Sequence, residues 1–130
     1  MTESELLAAA HDALTRMDSV FEFWMSGTFA TLVAFYFIGS AAAFRIKLLS
    51  SFLYTVFSVL MINRLVSIGI TYTAFRDMLI ELGSVGVISD FALFVNSIFN
   101  ITIYLSGMAI TIYFIFRQKN VLDNSIESDT

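Results

Sequence analysis

Cysteine and proline are both absent from this 130-residue chain, and histidine occurs once, at His11. Without cysteine there are no disulfides, no thiolate metal sites and no thiol nucleophile. One histidine, outside the apolar segments, leaves no basis for a zinc, copper or bis-histidine haem site within a single chain. The same scarcity excludes a serine–histidine catalytic pairing inside the apolar runs. Without proline, long helices run free of proline kinks, and any break within them falls to glycine. Glycine-rich phosphate loops are missing too. Charge is scarce: 14% of the residues are Asp, Glu, Lys or Arg, against roughly a quarter in soluble proteins. The seven basic residues are scattered rather than gathered on one face, which sets nucleic-acid binding aside. The expectation is a non-enzymatic protein with no catalytic group, no metal and no cofactor.

What remains is apolar. Hydrophobic residues make up 58% of the chain, too many for its polar surface to cover in water, so lipid is the expected solvent. Three apolar segments occupy roughly 21–44, 48–73 and 91–116. Each exceeds the ~20 residues a helix needs to cross a 30 Å hydrocarbon core. Between the first two stands a short polar hinge, Arg45, Ile46 and Lys47. Between the second and third, Phe75, Met78, Leu79 and Leu82 suit a short interfacial helix ending near Gly83.

Residues 1–19 read as an amphipathic helix. Thr2 and Glu5 have capping-box spacing, and Leu6, Leu7, Ala10, Leu14 and Met17 recur on one side, opposite Glu3, Asp12, Arg16 and Asp18. Ser19 with Glu22 offers a second cap, at which the chain changes direction unless the helix simply continues. The predicted fold is therefore an all-α membrane protein, three transmembrane helices in an antiparallel bundle. An amphipathic N-terminal helix precedes the bundle, which takes up 20–116, and a polar tail at 117–130 follows it.

Ala41, Ala42 and Ala43 resemble a signal-peptide cleavage site. The residues before the first apolar run are mostly acidic, however, and the run is too long for a signal peptide, so it is read as a retained span. Asn100-Ile101-Thr102 fits the glycosylation pattern but lies mid-span, out of reach of the transferase. Arg45 and Lys47 share a side with Arg117 and Lys119, whereas the other side has only Arg16 and Arg76 among more numerous acids. The positive-inside rule then places the chain in the cell (inner) membrane with its N-terminus outside and its C-terminus cytoplasmic.

Each span carries a distinctive stripe. On the first, Gly27, Ala30, Thr31 and Ala34 form small-x-x-x-small pairs that let helix backbones approach closely. The second aligns Arg64, Ser67 and Thr71, with Asn63 to one side. The third places Asn96, Asn100, Gly107 and Thr111 on one face, with Tyr104 beside them. Two readings stand: the stripes hold a three-helix bundle together, or they line a hydrated passage.

Arg64 is the most informative position. It lies about 13 Å below the outer end of its span near Thr73. Inserting it costs ~2.5–3.5 kcal/mol on the translocon scale, which thirteen Leu, Ile, Val or Phe residues in the same span outweigh at ~0.3–0.6 kcal/mol each. It still calls for a partner. Asn100 lies at matching depth while Glu22 and Asp90 are shallower, so a neutral hydrogen bond to Asn100, a threonine hydroxyl or a backbone carbonyl is expected over a salt bridge. The resulting polar intramembrane cluster would join Asn63, Arg64, Ser67, Thr71, Asn96, Asn100 and Thr31.

These features point to a small accessory subunit or homo-oligomer, with lipid and other membrane subunits, or copies of itself, as partners. The alternative is an oligomeric pore. In topology alone, three spans with the N-terminus outside, the chain is similar to small holins. Their tails are strongly basic, whereas Asp123, Glu127 and Asp129 make this one acidic.

Overall fold

The computed structural model describes residues 1–83 and 89–117, which form three helices: α1 (Glu3–Ile38), α2 (Phe44–Glu81) and α3 (Asp90–Arg117). Their 36, 38 and 28 residues correspond to about 54, 57 and 42 Å at 1.5 Å per residue. Each is long and apolar enough to cross a membrane.

α1 begins at the expected cap. The Glu5 amide donates to Thr2 Oγ1 at 3.3 Å, and the Thr2 amide donates to Glu5 Oε2 at 2.7 Å. The helix does not turn at Ser19 but continues unbroken to Ile38. No proline or glycine lies between Ser19 and Ser26, and the Ser19 hydroxyl donates back to the Thr15 carbonyl at 3.0 Å rather than opening a new cap. The first hinge also moves. It occupies 39–43, where Gly39 and Ser40 interrupt the helix, and Arg45 and Lys47 fall within the first turn of α2.

At its far end α2 absorbs Phe75, Met78 and Leu79, which the sequence suggested as a separate interfacial helix, and runs on to Glu81. Gly83 then adopts φ +74°, the left-handed conformation that ends helices and that glycine reaches without strain. Its amide donates to the Ile80 carbonyl at 2.9 Å. α3 opens on Ser89, whose hydroxyl accepts the Ala92 amide at 3.3 Å.

α1 and α2 pack far more extensively on each other than either does on α3. The buried residues of α1 (Leu6, Ala10, Ala13, Val20, Trp24, Thr28 and Phe35) recur at steps of three, four or seven positions, which is one helix face. Those of α2 do the same at Lys47, Ser51, Tyr54 and Ser58, then at Tyr72, Arg76 and Leu79. As residue numbers rise along α1, those of the partners on α2 fall. Leu6 shares a cluster with Leu79, Trp24 meets Ser58 and Thr28 meets Tyr54. α3 follows α1 in rising order, with Tyr104 against Trp24 and Ile115 beside Phe35.

Much of the remaining apolar surface faces outward. Phe29, Phe37, Phe44, Leu49, Phe52, Leu60, Leu105 and Ile110 are all more than two-fifths exposed. A soluble monomer does not leave so continuous an apolar surface in water.

Candidate functional site

The three helices agree on one charge-free layer. α1 has no Asp, Glu, Lys, Arg or His between Glu22 and Arg45, α2 none between Lys47 and Arg64, and α3 none between Asp90 and Arg117. The α2 stretch is the shortest at sixteen residues, about 24 Å. Because Arg64 shares a groove with Ser19, Val20 and Phe23, it stands level with the start of the apolar run of α1. Arg64, Glu22 and Asp18 thus fall at one end of the layer.

The centre of this layer is closed. Trp24, Tyr104, Thr111, Ile115 and Ser58 are at most 1% exposed. The Trp24 ring packs 4.3 Å from that of Tyr104 and 6.2 Å from Phe21, centroid to centroid, and Trp24 Nε1 donates to Ser58 Oγ at 3.1 Å. A turn further in, the Thr28 and Tyr54 hydroxyls share a hydrogen bond of 2.8 Å. Gly107 makes the α1–α3 contact possible: a Cβ there would stand 2.5 Å from Trp24 Cη2.

The polar residues singled out from the sequence do not form one cluster. Asn63, Arg64, Ser67 and Thr71 are all exposed. The Ser67 and Thr71 hydroxyls donate to carbonyls one turn earlier on their own helix, Asn63 O at 3.0 Å and Ser67 O at 3.2 Å. Arg64 makes no hydrogen bond or ion pair with a described residue. Asn96 and Asn100 instead line a cavity of about 270 Å³ with Leu14, Met17, Asp18, Phe21, Leu65 and Tyr104.

The reason is rotational. Successive helix residues point about 100° apart, so α2 turns Leu65 toward that cavity and Arg64 toward the groove against α1. Arg64 and Asn100 are close to one level but in different cavities. The Tyr104 hydroxyl is buried without a partner among the described residues. A polar cavity of this size admits the water that satisfies such a group.

The small residues of the first span divide. Gly27 and Thr31 are half-buried, Gly27 against the Phe57 ring, and Thr31 Oγ1 donates to the Gly27 carbonyl at 2.8 Å. Ala30 and Ala34 are exposed. All four line an open groove of about 470 Å³ walled by Phe35, Leu53, Tyr54 and Phe57. On α3, Thr111 is buried and donates to the Gly107 carbonyl at 2.8 Å.

Sequence reasoning missed the buried polar row of α2, Ser51, Tyr54 and Ser58, together with its partners Thr28 and Trp24. The spacing of that row was readable. Its residues did not stand out because apolar residues surround α2 almost evenly. Among the described residues, no three His, Asp or Glu side chains converge as a metal site.

Three long apolar helices with outward-facing apolar surfaces fit a multi-pass membrane protein. No protein-family model, curated protein or solved structure matches the chain.

Proposed function

We propose that the protein is a non-enzymatic, multi-pass membrane subunit that works by assembling with further copies of itself through α1. In this reading the three helices form an antiparallel bundle in the cell (inner) membrane, N-terminus outside and C-terminus cytoplasmic. The amphipathic segment 1–19 continues α1 beyond the hydrocarbon core, which lies between the levels of Arg64 and Lys47. The observation that carries the assembly reading is the open groove at Gly27, Ala30, Thr31 and Ala34. In lipid, helices associate by close packing of small residues rather than by hydrophobic burial, and this row is left half open by the chain's own fold. Exposed Phe29, Val33 and Phe37 on the same helix supply the ridges such a groove accepts. Phe91 and Phe94, exposed on α3 above the level of Arg64, and Phe99 near that level extend the apolar surface available to the same assembly.

The test is Ala30→Leu with Ala34→Leu, both on exposed positions and therefore harmless to the single chain. Oligomeric state is read by native mass spectrometry and by cross-linking in bilayers. A shift toward single chains is expected. An unchanged oligomer would remove the groove from the interface, and a wild-type monomer that joins a larger complex only in cells would favour the accessory-subunit role. The side chains packed between the helices plug the centre of one chain, so conduction would have to run between copies. Dye or ion flux from liposomes holding the pure protein would then favour the oligomeric pore.

A further inference from the structure

Arg64 and Arg16 line the same groove between α1 and α2, a space of about 380 Å³ completed by Ser19, Val20, Phe23, Met61 and Ile68. Arg16 Nε is 2.9 Å from Asp12 Oδ2, one turn away on α1, and both side chains are largely exposed. Arg64 has no such acid. The charges that line the groove, Arg16 and Arg64, with the Asp12 bound to Arg16, sum to one positive charge; Asp18 and Glu22 stand at the same level of α1 but do not line it. Its position matters as much as its sign. Arg64 marks the end of the charge-free layer, and the other wall of the groove is α1 where its apolar run begins. Toward the layer the lining is apolar, Phe23 and Met61. Away from it stand Arg16 and the Ser19 hydroxyl.

A guanidinium at that level is too costly to leave dry, and among the described residues it has no acceptor. The acceptor the boundary of a bilayer supplies at this depth is the phosphodiester of a lipid. Guanidinium groups bind phosphate oxygens with paired, charge-assisted hydrogen bonds.

We propose that this groove is a phospholipid site. Arg64 and Arg16 hold the headgroup phosphodiester, and an acyl chain lies along Phe23 and Met61. The single net positive charge matches the single negative charge of a phosphodiester, so a lipid with no compensating cation, such as phosphatidylglycerol, binds best. A bound phosphodiester supplies the partner that Arg64 lacks among the described residues, and this site does not depend on the assembly reading.

Native mass spectrometry of the full-length protein released from detergent, titrated with phosphatidylglycerol, tests it. Diacylglycerol, which has the chains without the phosphate, and inorganic phosphate, which has the charge without the chains, serve as comparisons. The wild type should retain one phosphatidylglycerol and no diacylglycerol. In Arg64→Leu the half-saturating lipid concentration should rise about tenfold, as expected for loss of one charge-assisted contact. Arg64→Lys should keep part of the affinity, since it retains the charge without the fork. Asn63→Ala, one residue away and outside the groove, should bind as the wild type does, which separates lipid binding from folding. Equal retention of diacylglycerol would overturn the headgroup assignment. Saturation by inorganic phosphate alone would overturn the lipid assignment, and unchanged affinity in Arg64→Leu would overturn the site.

Discussion

Gly107→Ala adds one methyl group where the structure leaves it no room. The new Cβ would lie 2.5 Å from Trp24 Cη2 and 3.2 Å from Cζ2, against about 3.5–4.0 Å for a relaxed carbon contact. The indole must therefore retreat by roughly 1 Å or the helices must part. Trp24 has little freedom to do so: it is 1% exposed, packed at a 44° tilt against Tyr104, flanked by Phe21 and held by Ser58 through Nε1.

Overpacking of this kind costs about 1–3 kcal/mol, and straining the Trp24–Ser58 hydrogen bond adds about 0.6 kcal/mol. Alanine recovers about 0.8–1 kcal/mol over glycine in helix propensity. The net expectation is about 0.6–2.8 kcal/mol of destabilisation. Gly27→Ala is the contrast. Its Cβ would meet Phe57 Cε1 at 2.9 Å, but that ring edge borders an open groove and swings aside, so the change should stay within about 0.5 kcal/mol of neutral.

The assay is reversible unfolding in mixed lipid–detergent–dodecyl sulfate micelles, followed by circular dichroism, with emission from the sole tryptophan as a local probe. In a Trp24→Phe background the penalty for Gly107→Ala should vanish, because the atoms it strikes are gone. A neutral Gly107→Ala, or an equal penalty in both backgrounds, would refute the packing described for α1 and α3.

In the same assay, Thr28→Val and Tyr54→Phe should each destabilise, with a coupling of about 0.5–1.5 kcal/mol in the double-mutant cycle, the range seen for hydrogen bonds between membrane helices. Additive effects would mean that the 2.8 Å contact contributes nothing. Ala30→Leu with Ala34→Leu should leave single-chain stability within about 0.5 kcal/mol of wild type, since both positions are exposed. A large loss would assign those residues to internal packing instead of assembly.

The number of helices and their apolar character were legible because a run of more than twenty apolar residues has few other structures open to it. Their ends and faces were harder to read. Helix α1 passes through Ser19, and α2 passes through Thr73, because the N-terminal apolar residues Leu6, Ala10 and Ala13 find their partners in Tyr72 and Leu79. That long-range pairing leaves no trace in local sequence. For the same reason the sequence alone puts Arg64 well inside a span ending near Thr73, whereas its neighbours across the groove place it at the edge of the charge-free layer. The α3 face was readable, since Tyr104, Gly107 and Thr111 turn toward α1. On α2 polarity misled: Arg64, Ser67 and Thr71 resemble an inward stripe, yet Leu65 holds the inward position at that level. Small polar side chains that bond to their own helix have no need to face inward.

An odd number of membrane crossings puts the two termini on opposite sides of the bilayer, which single cysteines at Ser4 and Ser125 test directly in this cysteine-free chain. With a membrane-impermeant maleimide, Ser4→Cys should label in intact cells and Ser125→Cys only after permeabilisation. Labelling of Ser125→Cys alone in intact cells would reverse the orientation, and equal labelling of both in intact cells would contradict the three-span fold itself.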